Sequence, residues 1–205
     1  MEGKMTDMDL SIEDTRCVFI SHMHEDHVGT LSSIAKRFVS YNRNDAPIRI
    51  FMPEENGIEA FKHWLLAMHT TRLEKLIFGL VREGIVYEDE NITVTAIPTE
   101  HLLHGAFPSF AYVIRVGEKK ILYTGDLDAD FHDYPEVVFE EEFDAIVCEL
   151  VHFNLRSNLE AICRSKTKKM IFTHLSPYQI PKILSVKERF PFPVYIAEDG
   201  MCFDL

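Results

Sequence analysis

Residues 21–29 read Ser-His-Met-His-Glu-Asp-His-Val-Gly, so three imidazoles and an inner carboxylate crowd into the six positions from His22 to His27. A short apolar run, Cys17–Ile20, leads into them. A helical pattern follows over Thr30–Val39, with Leu31, Ile34, Ala35 and Phe38 at i, i+3, i+4 and i+7. The cluster therefore falls on a strand-to-helix loop. Imidazole nitrogen and carboxylate oxygen are the ligands zinc takes at about 2.0–2.2 Å. A tight turn here can aim His22 and His24 at one point, and Asp26 and His27 at another. A merely solvated loop would waste that many unpartnered imidazoles.

The rest of the 205-residue chain mixes short apolar runs with helical stretches. Strands are expected at Ile48–Met52, Ile92–Ile97, Met170–Phe172, Val194–Ala197 and Met201–Phe203. Ala111–Val116 and Lys120–Tyr123 should form a hairpin around Gly117-Glu118, and Ala145–Leu150 is a further apolar run. Helices are expected from Asn56, with Ile58, Phe61, Trp64, Leu65 and Met68 as one core-facing or site-roofing stripe. Others are expected over Leu73–Arg82, Leu159–Cys163 and Ile180–Phe190. No linker or repeat interrupts the series, so we expect one domain, 1–205, of α/β (α+β) class. Twenty-one basic against thirty-three acidic residues give a net charge of −12. That balance argues against a broad nucleic-acid-binding face. Cys17, Cys148, Cys163 and Cys202 form no C-x-x-C pair, and three of them sit in apolar runs, which predicts buried reduced thiols. No secretory leader or membrane-spanning stretch is evident, so a cytoplasmic location and no membrane partner are expected.

Later apolar runs also end abruptly in residues that can bind metal. Ile92–Ile97 runs into Pro98-Thr99-Glu100-His101, Ile121–Tyr123 into Thr124-Gly125-Asp126, and Met170–Phe172 into Thr173-His174. Sites in layered sheet proteins gather on loops at one edge of the strands. These loops can thus converge despite their separation in the chain.

With those residues in view, the sequence resembles the metallo-β-lactamase-fold hydrolase superfamily. HMHEDH matches that family's H-x-H-x-D-H at every fixed position, and the later His, T-G-D and His follow in the family's order. The resemblance runs from Arg16 to Leu205. It is nearest the ribonuclease Z-like and small phosphodiesterase branch, through Pro98–His101, Pro108–Tyr112, Tyr123–Asp126, Thr173–Ser176 and Ala197–Gly200. It implies a four-layer αββα sandwich. It also implies one metal on His22, His24 and His101, a second on Asp26, His27 and His174, and Asp126 bridging both. Two divalent ions would outweigh the two ligand carboxylates, leaving a positive pocket in an acidic protein. The chemistry implied is attack by a metal-bound hydroxide on a phosphodiester or other ester. The nitrogen-rich ligand set favours zinc, with manganese or iron as alternatives.

Two departures from the family pattern stand out. The first motif begins at position 22, where the family expectation is several preceding strands. We therefore expect an N-terminally shortened sheet whose exposed edge invites a homodimer. Cys148-Glu149 stands where ribonuclease Z has a His-Glu pair, and no long basic insertion is present. A small anionic ester is thus the expected substrate class, with RNA as the alternative. An inactive metal-binding or interaction descendant is the rival reading. Asp26 could also orient or deprotonate the water, and Glu149 and His152 could supply a proton to the leaving group. His104 is the alternative to His101 as ligand, and His132 is a candidate substrate contact. His63 and His69 read as structural or exposed. Ser21, Ser109 and Ser176 lack a nucleophile elbow, and no phosphate-binding glycine loop is present.

Overall fold

The computed structural model describes residues 11, 14–41 and 47–205. Most of the first thirteen residues lie outside them. The chain divides into two compact units, Met1–Val81 and Arg82–Leu205.

The first unit holds a three-stranded parallel sheet in the order β1-β2-β3, from Cys17–Phe19, Ile48–Met52 and Leu76–Leu80. A four-residue helix, α1 (Glu25–Val28), is followed by α2 (Leu31–Tyr41) and α3 (Glu55–Ala67). Leu31, Ala35, Phe38 and Val39 of α2 are buried. They share a core with Ile48, Ile50 and Met52 of β2 and with Ile58 and Leu65 of α3. Trp64 departs from the expected stripe and is 57% exposed. It lies about 120° round the helix from Ile58, at 100° per residue, and so misses the buried face. With Met23, Val28 and Phe61 it borders an apolar cleft.

The helix expected over Leu73–Arg82 does not form. A single 3₁₀ turn, Leu73–Lys75, leads straight into β3. Its apolar run is strand-length, and its register with Ile48–Met52 supplies backbone partners that helical periodicity cannot anticipate.

The second unit holds a seven-stranded sheet in the order β10-β9-β8-β7-β6-β5-β4. Its strands are β4 (Gly84–Glu88), β5 (Ile92–Thr99), β6 (Ser109–Val116), β7 (Lys119–Tyr123), β8 (Ala145–Glu149), β9 (Met170–Thr173) and β10 (Val194–Ile196). β4 was not anticipated, and Met201–Phe203 is not a strand. The expected hairpin is present as β6–β7. Strands β7 to β10 are mutually parallel, while β6 is antiparallel to both β5 and β7. Hence β5, β7, β8 and β9 all run one way, and their C-terminal ends share one edge of the sheet. The helices are α4 (Val137–Glu140), α5 (Leu155–Cys163) and α6 (Ile180–Val186). Asn154 caps α5, its Oδ1 accepting from the amides of Arg156 and Ser157.

All four cysteines are free thiols, as expected, but only Cys148 is fully buried, and Cys202 is exposed. No helix among the described residues is long and apolar enough to cross a membrane.

Candidate metal centre

In the first unit the histidine cluster follows β1 as an extended stretch that turns into α1. Extended backbone puts His22 and His24 on one side and Met23 on the other. Met23 packs so tightly over α3 that a Cβ on Gly57 would stand 2.8 Å from its Cε. His22 is fully buried, and its Nε2 lies 3.1 Å from Nδ1 of His24. Two nitrogens bound to one zinc stand roughly 3.3–3.6 Å apart, so the pair is already near ligand spacing. The helical turn brings His27 back over His22, with ring centroids 3.9 Å apart. Asp26, half-exposed, has Oδ2 3.5 Å from His27 Nε2. Ser21 Oγ lies 3.1 Å from His22 Nδ1 and 3.3 Å from His27 Nδ1, which fixes both rings through their rear nitrogens.

In the second unit the shared sheet edge does the collecting. His101 follows β5, Asp126 follows β7, Glu149 ends β8 with His152 three residues on, and His174 follows β9. The Asp126 carboxylate is 3% exposed. Its Oδ2 has His174 Nε2 at 3.4 Å, His152 Nδ1 at 3.7 Å and His101 Nε2 at 3.8 Å. The turn that delivers Asp126 needs Gly125, whose φ is +60°. Thr124 fastens that turn to β8 by donating its amide to Val147 and accepting from the Glu149 amide. His101 Nδ1 sits 3.0 Å from the Leu127 carbonyl, which favours the tautomer that presents the Nε2 lone pair. His174 also holds a left-handed φ of +49°, strained for a side chain and common at working sites. The donor chemistry suits a divalent cation: convergent nitrogens around a buried carboxylate, rear nitrogens tied off.

Glu149 is 1% exposed and accepts from the amides of Leu127, Val151 and His152, with its Oε1 3.2 Å from His152 Nδ1. It therefore braces the His152 ring and the Leu127 amide. His104 is not in the cluster. It is 75% exposed and lies 2.8 Å from Asp128 Oδ2. His132 bonds Glu100 across an exposed surface, and that hydrogen bond raises its pKa. Burial pushes the Asp128 carboxyl up, but the Asp130 amide and the imidazoles of His104 and His132 outweigh it and hold it low. Tyr123, beside the site, is pushed up by burial and by the charges of Asp126 and Glu149. Sequence reasoning did not single out Ser21 as an orienting group. It also did not anticipate Asp133, whose carboxylate receives the amides of Glu100 and Asp128 and so joins two site loops. His63 is exposed.

The two sheets and their histidine- and aspartate-bearing strand ends define a metallo-β-lactamase-fold protein of the ribonuclease Z-like branch. Within it, the chain belongs to the family described as Anti-Pycsar protein Apyc1, whose model matches residues 1–189 and spans both units. Among curated proteins, ribonuclease Z of Bacillus subtilis is 36% identical over 115 residues, 55% of this chain and 34% of that protein. Ribonuclease Z of Brevibacillus brevis is 31% identical over 104 residues, 50% and 30% respectively. The matched segment thus spans about a third of these relatives. Among solved structures, the metallo-β-lactamase fold protein YhfI of Bacillus subtilis has a TM-score of 0.73 at 19% identity, covering 94% of this chain and 79% of that one. The short form of human tRNase Z has a TM-score of 0.70 at 19% identity, with 98% and 83% covered.

Proposed function

We propose that this chain is a dinuclear metal-dependent hydrolase of phosphodiesters or other anionic esters. The observation that carries it is the buried Asp126 carboxylate, with nitrogens of His101, His152 and His174 within 3.8 Å of one oxygen. On the family's ligand order, His22, His24 and His101 would hold one ion, Asp26, His27 and His174 the other, and Asp126 would serve both. Zinc is the first choice for so many imidazoles. Divalent cations held there would supply Lewis acidity, able to neutralise a substrate oxyanion and to draw the pKa of water towards about 7.

The remaining work falls to the chain. Asp26, half-exposed beside His27, orients the attacking water and takes its proton. His152, held by Glu149, donates a proton to the departing oxygen, while Glu149 supports the imidazolium that donates it. Ser21, the Leu127 carbonyl and Asp133 keep the ligands in place.

A second reading, a ribonuclease Z-like endonuclease, is favoured by the curated relatives. The −12 charge weighs against an extended RNA footprint, so a small ester ranks first. The test is hydrolysis of bis(4-nitrophenyl) phosphate with added Zn²⁺ or Mn²⁺, alongside elemental analysis of metal per chain. Turnover lost in Asp126→Ala supports the proposal. Full metal occupancy with no turnover on that diester or on a transfer-RNA precursor would leave an inactive descendant.

A further inference from the structure

We infer that the loop from Leu102 to Phe107 is an apolar subsite that holds a planar aromatic substituent on the non-departing oxygen of the ester, with Leu103 and Phe107 as its contacts. This deepens the hydrolase reading and rests on it. Leu103, His104 and Gly105 take left-handed φ values of 47°, 51° and 81° in succession. Only the glycine adopts that backbone without strain, and a leucine there is uncommon. Core packing does not explain the strain, because Leu103 is 72% and Phe107 49% exposed.

The strained turn is held from both sides. Within the loop, the Gly105 amide donates to Glu100 O, and the Phe107 amide donates to Leu102 O. Across to the Asp126 loop, His104 meets Asp128, Glu100 meets His132, and the Glu100 amide donates to Asp133. A loop over-determined in this way, yet turning Leu103 and Phe107 to water, is built to present them.

Position says to what. Leu103 is two residues past His101, so their Cα atoms are at most about 7 Å apart, the span of one aromatic ring. A phosphoester centred on the metals would carry its second substituent over that distance. An aliphatic and an aromatic side chain together suit a flat ring, which gains from stacking on Phe107.

The experiment compares two diesters with one leaving group: bis(4-nitrophenyl) phosphate and methyl 4-nitrophenyl phosphate, with Zn²⁺ or Mn²⁺ supplied. Leu103→Gly and Phe107→Ala should each raise KM for the aryl diester about three- to tenfold, leaving the methyl diester within about twofold. Ile85→Ala, an exposed apolar residue on β4, should change neither. Leu103→Gly should also raise the thermal midpoint, which separates lost contact from lost fold. Equal effects on both diesters, or none, overturn the subsite and leave the loop as a surface for another macromolecule. Should the parent protein hydrolyse neither, calorimetry with diphenyl and dimethyl phosphate on the metal-loaded chain decides separately. Preference for the diphenyl ester, lost in Leu103→Gly, keeps the subsite while the hydrolase reading falls. No preference removes both.

Discussion

Ser21 and Glu149 are the side chains through which single residues would govern the proposed chemistry. One hydroxyl within 3.3 Å of two rear imidazole nitrogens sets the orientation of His22 and His27 together. Ser21→Ala should therefore weaken Zn²⁺ binding about 10- to 100-fold, measured by competition with a chromogenic chelator, while the unfolding midpoint of the metal-free chain barely moves. Glu149 has no spare acceptor positions: three amides and His152 use both oxygens. In Glu149→Gln an NH₂ must confront one of those amides. The expected cost is about 1–3 kcal/mol of stability by urea unfolding, with at least about a hundredfold fall in kcat. An unchanged kcat with reduced stability would confine Glu149 to a structural role. The candidate ligands were legible in the sequence because His and Asp declare their chemistry and their spacing. Ser21, the Leu127 carbonyl and Asp133 were not, because a hydroxyl, a peptide oxygen or one more loop carboxylate acquires its role only from distance.

The ends of α3 and β8 carry consequences that belong to elements. α3 closes on a Schellman motif: the amides of His69 and Thr70 donate back to Leu66 and Leu65. His69 fills the left-handed position, at φ +57°, where glycine is usual. His69→Gly should stabilise the fold by about 0.5–1 kcal/mol, and an unchanged urea midpoint would refute that strain. At the entrance to β8, Asp144 is buried and accepts from Lys168 Nζ and from the Lys120 amide of β7. Those bonds, the Lys168 side chain first, lower its pKa to about 2. A depressed carboxylate stabilises the folded state fully above its unfolded pKa near 4 and progressively less as pH falls through 2. Asp144→Asn should thus lower the pH 7 thermal midpoint and flatten its decline between pH 4 and 2. Parallel decline in both proteins would exclude the linkage. Elements with a clean period, such as α2 and β6, were readable from sequence. β3 was not, because Leu76–Val81 fits either period, and its pairing with β2 decides the matter. Phe51 adds to it, since a Cβ at Gly79 would stand 2.6 Å from that ring.

Two hydrophobic cores underlie the whole molecule, one around Ile50, Phe38 and Leu65, the other around Leu122, Ile146 and Phe172. The proposed metal ligands divide between them: His22, His24, Asp26 and His27 belong to the first unit, His101, Asp126 and His174 to the second. If one dinuclear centre draws on both sets, metal stabilises the chain by mass action, by about 2.7 kcal/mol at a hundred times Kd. A chelator should then lower the thermal midpoint by several degrees, and re-added Zn²⁺ should restore it. The discriminating pair of variants is His24→Ala and Asp126→Ala, one from each unit. A shared centre requires both to blunt the Zn²⁺-dependent rise and to lower the bound metal per chain. Separate sites would let Asp126→Ala keep the metal that His24 helps to hold, with the rise reduced by only part. That outcome would break the link between the early histidine cluster and Asp126, and the hydrolytic mechanism with it.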